Sequence, residues 1–521
     1  MHSFDIVIVG CGPVGGAAAN LLGRAGLDVL VVEKQTDPYP LPRAVHIDHE
    51  VMRIFQAAGV AEAFEPMTRD TQGHLHIGAD GDVLRYLGTA GQARRFGWSN
   101  DYFFYQPELE ALLREQLSAM PNVTLWTGTS AIDLAQDSAG VTLTLARDDG
   151  EIEVRARHVI ACDGASSSIR AMLDVSLVDL DFEEPWLVVD VEMDGPVHFP
   201  TYPRLPIGAD LQQLSVMLCD PRRPTTIVPG RGNHRRWEFM LLPGEQDDAM
   251  RAPERVAALV APWIGDVPHR IVRAATYRFH GLVANHWQVG RVFLAGDAAH
   301  QTPPFFGQGM CHGMRDVASL AWKLALVHRG LASERLLDGY QGEREPQVRA
   351  VISAAIEAGK YICELDPAAA AARDRIIRER EATRTVHTAA DLISPITGLV
   401  RDGSAGAGER FIQPRLSDAQ GLSYLLDDVT GSGLRLFVSG EPRLDPASAT
   451  GFQRLGGTIV SVEALQSDTL TAWLSAHDAV AVLVRPDFYV YGTARTANDV
   501  SGLVDAFLSG VGASAAERVA A

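Results

Sequence analysis

The chain has 521 residues, 46% of them hydrophobic and 21% charged, with a mean hydropathy of +0.01. This is the balance of a folded globular protein of about three domains, and it excludes long disordered, collagen-like or coiled-coil architectures. Lys+Arg 46 against Asp+Glu 65 gives a net charge of −19, which argues against nucleic acid as a partner and against a polybasic membrane anchor.

The chain opens as strand, turn, helix, strand. Asp5–Val9 is β-branched and continuously apolar, as suits a strand buried on both faces. Gly10-Cys-Gly-Pro-Val-Gly15 follows, then an Ala/Leu-rich helical stretch to Arg24, then a second apolar strand from Asp28 to Glu33. The N-terminus lacks a basic segment before its apolar run, so a strand explains that run better than a signal peptide. From about residue 180 to 280 short alternating runs separated by Pro/Gly turns predict an antiparallel sheet with one face covered. Residues 291–297 return to a buried strand, a helix is predicted from Gly309 to Arg329, and 350–385 read as helical. Arg401–Gly408 is small and flexible in composition and reads as a linker. A short α/β pattern closes the chain, with strands at 434–438, 479–484 and 488–491 and a helix from Val500.

The five cysteines, Cys11, Cys162, Cys219, Cys311 and Cys363, are odd in number and form no C-x-x-C pair. They support neither a disulfide framework nor a structural zinc site, so no metal is expected and a reducing cytoplasm fits best. No apolar stretch approaches the about 18 residues needed to cross a bilayer.

Gly10, Gly12 and Gly15 fit the dinucleotide fingerprint G-x-G-x-x-G. The first glycine allows the tight turn, the second lets backbone approach a pyrophosphate, and the third lets helix and strand pack closely. Pro13 stands at the start of the helix, whose N-terminal amides would face the phosphates. Glu33, at the end of the second strand, would accept hydrogen bonds from a ribose; Lys34 follows it. The fingerprint alone does not separate FAD from NAD. Two further segments do: a strand ending in Asp163-Gly164, and a strand ending in Gly296-Asp297 before the glycine-rich helix start Gly307-Gln308-Gly309-Met310. Each sets a carboxylate at the C-terminal edge of a sheet, where open α/β folds bind ligands. The helix start would present amides and a positive dipole end to an electron-rich ring.

With these motifs in place, the sequence resembles the class A flavoprotein aromatic hydroxylases. Supporting matches are Pro42-Arg43-Ala44, Gln106-Pro107-x-Leu109-Glu110, Pro303-Pro304 and Asp316-x-x-x-Leu320-Ala-Trp-Lys323. Within that class it is most similar to the 3-(3-hydroxyphenyl)propionate and phenol hydroxylases, on Tyr39–Asp48, Arg236-Trp-Glu-Phe-Met240 with Pro243-Gly-Glu245, and Gly313-Met-Arg315-Asp316. One departure is Cys311, where members often carry Asn; a thiol is the weaker hydrogen-bonding group.

The resemblance implies an α/β fold: a Rossmann-like FAD-binding domain (1–178 and 275–400), an inserted antiparallel β-sheet substrate domain (179–274), a linker (401–429) and a C-terminal thioredoxin-like domain (430–521) whose strand motif is Pro486-Asp-Phe-Tyr-Val490. It implies FAD as cofactor, NADH or NADPH as co-substrate, and a small aromatic substrate hydroxylated with O2 through a flavin C4a-hydroperoxide. A homodimer is the expected assembly. By motif, Glu33 would hold the adenosine ribose and Arg43 would sit by the pyrophosphate and flavin. Gln106 would touch the ribityl region, Asp297 would bind the ribityl chain or pyrophosphate, and Pro303 or Pro304 would line the oxygen site. The substrate phenol must be ionised, and His46, His280 and Tyr277 are the candidate groups. The alternatives are a same-fold oxidase or halogenase-like flavoprotein, or a non-enzymatic FAD redox sensor.

Overall fold

The computed structural model describes residues 2–89, 91–382, 392–418 and 420–513. Its first sheet is built on five parallel strands in the order Val292–Leu294, Gly150–Ala161, His2–Val9, Val29–Val32, Val123–Trp126. Ile6, Val7 and Ile8 are fully buried at its centre, as the unbroken apolar run requires. Helices Pro13–Arg24 and Gly309–His328 pack together on this sheet. The antiparallel hairpin Ser130–Gln136 and Val141–Arg147 extends the sheet through Gly150–Ala161.

The second sheet has eight strands and is mostly antiparallel. Its long central pair, Leu177–Met193 and His269–Ala284, runs out of the first unit and back into it, so neither strand stops at the expected limits of 179 and 274. Two strands from earlier in the chain, Gly73–Ile77 and Val83–Gly88, complete one end of this sheet. They lie outside the expected substrate domain because their partner, Ser215–Leu218, is more than a hundred residues away and leaves no local trace in the sequence.

Strand alternation divides this sheet into two faces. Leu187, Val189, Val191, Trp237 and Phe239 face a small core closed by helices Asp247–Arg251 and Pro253–Ile264. Trp186, Met217 and Met240 face the other way and join the core of the first unit. The inner face carries the polar groups considered below.

The last unit is a β-α-β-α-β-β-α arrangement, with strand order Thr458–Ser461, Arg435–Val438, Ala481–Val484, Val490–Ala494. The first two strands pair in parallel and the rest antiparallel, which is the thioredoxin-like order. The segment read as a linker is packed: Arg401 and Gly408 donate backbone hydrogen bonds to Tyr491 and Val490, and Arg415–Ser417 pairs with Ser423–Leu425. Among the described residues, no helix is long and apolar enough to cross a membrane, and no cluster of His, Cys, Asp or Glu could hold a metal ion.

Candidate active site

The fingerprint turn has the geometry of a phosphate cradle. Gly10 has φ +97°, and a Cβ on it would stand 2.4 Å from the Cys162 carbonyl. A Cβ on Gly15 would stand 1.9 Å from the Gly10 carbonyl, so only glycine lets this helix approach its strand. Around Gly12 there is open space instead. No side chain caps the helix that begins at Pro13, so its first-turn amides remain available to an anion. Glu33 accepts the Cys11 amide at 2.7 Å and the Gln35 amide at 2.9 Å. These bonds fix its carboxylate beside the turn and leave lone pairs for a ribose. Lys34, next to it, is exposed.

The other two predicted carboxylates converge on the same sheet edge. Asp163 Oδ2 accepts the Ile169 amide at 3.1 Å in the first turn of the short helix Ser168–Met172, which Ser167 caps, while its Oδ1 is buried with no partner among the described residues. Asp297 is open to solvent, yet burial by the surrounding crevice raises its carboxyl above the usual range, against the pull of His300 and Arg43. The turn that carries it is held by Asp316, which accepts the Gly296 amide at 3.1 Å, His300 at 2.7 Å and Arg344 at 3.0 Å.

Arg43 is exposed, with its guanidinium 4.7 Å from the centre of the Tyr39 ring. Gln106 is buried and spends its amide on protein. Oε1 accepts the backbone amides of Arg43 (3.1 Å) and Ala44 (2.7 Å), and Nε2 donates to Glu110 at 2.7 Å. The structure therefore shows it shaping the Arg43 loop. That loop is also tied to the inner face of the second sheet. Arg236 donates to the carbonyls of Arg43 (2.6 Å) and Pro42 (2.8 Å), and Arg273 donates to Pro42. Both arginines flank Asp190, and the Arg236 charge and the His234 hydrogen bond outweigh burial to hold its carboxyl down to about 2.

The turn from Pro303 to Met310 faces this assembly. Pro303 is buried and Pro304 half-buried. Phe305 packs edge-on against Trp186 of the inner face, with ring centres 6.0 Å apart. No side chain caps helix Gly309–His328, and the Gln308 Nε2 is buried with no partner among the described residues. The space beside Gly309 is nearly open, the nearest atom to a built Cβ being Thr302 Cβ at 3.9 Å. Met310 is half-buried on the first turn. An uncapped helix end, an unpartnered buried amide and a crevice carboxyl fit a flavin dinucleotide, which offers phosphates, hydroxyls and a polar ring edge.

His46 lies behind this turn. Its Nε2 is 2.9 Å from Asp101 Oδ1 and its Nδ1 is 3.3 Å from the Gly307 carbonyl. Burial alone would lower its pKa, but the Asp101 hydrogen bond and charge, with the Cys311 sulfur, raise it well above the usual histidine range. Cys311 itself turns inward, 3.7 Å from the Gly307 carbonyl. Tyr277 is on the inner face, its hydroxyl accepting from Arg273. His280 is not brought to the site. Phe279 next to it stacks on Trp186 of the inner face, so His280 points the other way, with Nδ1 3.8 Å from the exposed Glu183.

Two site residues escaped the sequence reading. Asp101 stands 55 positions from His46, and only the pairing of His46–Asp48 with Asp101–Phe104 joins them. Glu238 stands on the inner face opposite Val188 and Thr226. Burial raises its carboxyl to about 7, with Arg236 opposing. The alternation within Arg236–Met240 was the available signal, since Glu238 shares a face with Arg236 and Met240.

The family described as FAD binding domain matches residues 3–355, and the HcaD C-terminal domain matches residues 408–510. A probable NADH-specific resorcinol 4-hydroxylase of Rhodococcus jostii is 36% identical over 97% of this chain and 95% of its own length. A 3-(3-hydroxy-phenyl)propionate/3-hydroxycinnamic acid hydroxylase of Burkholderia cenocepacia is 34% identical over 96% of each chain. Among solved structures, the flavin-dependent monooxygenase PieE in complex with FAD and substrate has a TM-score of 0.81 at 23% identity, covering 98% of this chain and 99% of that one. The last likeness shows the fold; the sequence relatives carry the rest. The chain belongs to the class A flavoprotein aromatic hydroxylases and is an FAD-dependent monooxygenase that hydroxylates a phenolic compound with NAD(P)H and O2.

Proposed function

We propose that the substrate is a meta-substituted monocyclic phenol, that NADH is the reductant, and that His46 with Asp101 controls the ionisation of the substrate hydroxyl. The observation that carries the last point is the His46–Asp101 bond at 2.9 Å, buried directly behind Gly307. The first two are supported by the names of the relatives: a resorcinol and a 3-hydroxyphenyl compound are both phenols substituted at the third position, and the resorcinol enzyme is named NADH-specific.

Bound FAD supplies hydride acceptance from NAD(P)H and activation of O2 for transfer of one oxygen atom to the ring. The protein residues do the rest. Gly10, Gly12, Pro13 and Gly15 seat the pyrophosphate, Glu33 the adenosine ribose, and Asp163 and Asp297 the polar chain between. Arg43 is near enough to Asp297 for its charge to pull that carboxyl's pKa down. Pro303, Pro304 and the turn Gly307–Met310 bound the reacting end, and Trp186, Phe279 and Phe305 keep it dry. An imidazolium at His46 favours phenolate over phenol, and the phenolate ring is the better nucleophile toward electrophilic oxygen. Tyr277, polarised by Arg273, offers a second hydroxyl on the sheet side. We place the reaction in the cytoplasm, a reading supported by five unpaired cysteines.

The test is oxygen uptake and product mass spectrometry with ortho-, meta- and para-substituted phenols, each with NADH and with NADPH. Preferential, coupled hydroxylation of meta-substituted phenols with NADH is expected. Faster turnover of a para-substituted series, or of NADPH, would sink the corresponding part.

A further inference from the structure

The motif Arg485-Pro-Asp-Phe-Tyr489 of the C-terminal unit has no part in the chemistry above, yet it is bonded deep into the FAD-binding unit. Arg485 and Lys323 both donate to Glu343 Oε2, at 2.7 and 2.8 Å. Asp487 accepts the Trp322 indole N–H at 3.1 Å. Tyr489, almost wholly buried, donates its hydroxyl to Glu50 Oε1 at 2.9 Å, across 439 positions of sequence.

From Glu50 the bonds run to the flavin-facing turn. Glu50 Oε2 accepts Arg315 Nε at 2.7 Å and an Arg410 N–H at 3.3 Å. Arg315 then donates to Asp48, on the strand that carries His46, and to Gln308 Oε1 at 3.1 Å. Gln308 is thereby oriented by its carbonyl end, while its buried Nε2 has no partner among the described residues. Tyr489, Glu50, Arg315, Asp48 and Gln308 are all buried, and both Arg315 and Glu50 are fully engaged, so a change at one end leaves a charged group short of a partner at the next.

We propose that the C-terminal unit is part of the flavin site, with Tyr489 as a positioning residue that acts through Glu50 and Arg315 to present the Gln308 amide to FAD. This goes beyond the substrate reading above and rests on it only in placing the flavin against the Gly307–Met310 turn.

The experiment uses the full chain and its Tyr489→Phe, Gln308→Ala and Trp322→Phe variants. FAD affinity of the apoprotein is read from flavin fluorescence, and the visible spectrum of the bound flavin is recorded. Tyr489→Phe is expected to weaken FAD binding by about 2- to 30-fold and to shift the flavin absorption bands. Trp322→Phe loses a hydrogen bond at the same interface that does not lead to Arg315, and should change neither. The double variant Tyr489→Phe/Gln308→Ala should be no weaker than Gln308→Ala alone. If Tyr489→Phe lowers only the melting temperature, with affinity and spectrum intact, or if the two effects add, the proposal is wrong. Gln308→Ala without any effect would overturn the flavin placement itself, whereas a Gln308 effect with a silent Tyr489 overturns only the coupling. Should Tyr489→Phe not fold, Glu50→Gln carries the same measurements with the same expected and contrary results.

Discussion

His46 shows how a single pairing decides a residue's chemistry. A buried histidine ordinarily titrates low, as His74 does, pushed down to about 4 by burial; its ring centre is only 5.6 Å from that of His46. The Asp101 carboxylate reverses the sign for His46. Asp101→Asn should therefore let the imidazolium lose its proton at lower pH. The alkaline limb of kcat/KM is expected to move to lower pH, with kcat reduced about 100-fold, within the usual range for proton-transfer groups; an unmoved limb would remove Asp101 from this role. Glu238 gives a second test. With its carboxyl near 7, it changes charge across neutral pH, so kcat/KM should show an inflection there that Glu238→Gln abolishes. The fingerprint glycines and Glu33 were legible in the sequence because their whole context lies within one βαβ unit. Asp101 and Glu238 were not, since their meaning depends on a sheet pairing and on which face of a strand looks inward. His280 illustrates the same point in reverse: it is three residues from Tyr277, and a period of two puts them on opposite faces.

At the scale of elements, the decisive unit is strand, turn and helix, used at both Gly10–Gly15 and Gly296–Asp297. The second copy packs closely too, a Cβ on Gly313 standing 3.0 Å from the Gly296 Cα, but it differs in that a buried side chain, Asp316, also holds its turn. Burial would raise the Asp316 carboxyl, but His300 and Arg344 bring it below the usual range. This division separates two kinds of mutation. Asp297→Ala removes an exposed carboxyl that has no hydrogen-bond partner among the described residues, and should give folded protein that purifies largely without FAD, read from the ratio of flavin absorbance to protein absorbance. Full occupancy would refute its assignment to the cofactor. The inserted sheet was foreseeable in kind from its alternating runs. Its extra strands at 73–77 and 83–88 were not, because a strand at the end of a sheet is specified by a distant partner.

Across the whole molecule, three units share buried charge. Arg485 is fully buried between Glu343 and Asp487, so Arg485→Ala should cost about 3–5 kcal/mol, as breaking a buried pair typically does. The readout is a lower urea midpoint, and a midpoint within error of the parent would count against a shared core. Acid has a related effect. His74, His76 and His312 are buried, and burial lowers their pKa. The unfolded chain takes up protons from about pH 6.5 downward, while folded His74 resists until about 4. Stability should thus decline as pH falls through that window. A melting temperature that stays flat or rises from pH 7 to pH 5 would contradict this.

The parallel sheet also sets a timetable for biosynthesis. His2–Val9 is made before both of its neighbours, Val29–Val32 and Gly150–Ala161, and the latter pairs next with Val292–Leu294. The nascent chain can form its opening βαβ unit early. It cannot close the dinucleotide cleft until the Gly296–Asp297 turn has left the ribosome, which at ordinary elongation rates follows Ala161 by roughly 7–27 seconds. For that interval the Val159–Ala161 end of the strand lacks the neighbour it will have in Val292–Leu294. A polysome truncated before residue 292 should accordingly hold no flavin and should engage chaperones, and cofactor capture becomes an event of the second half of synthesis.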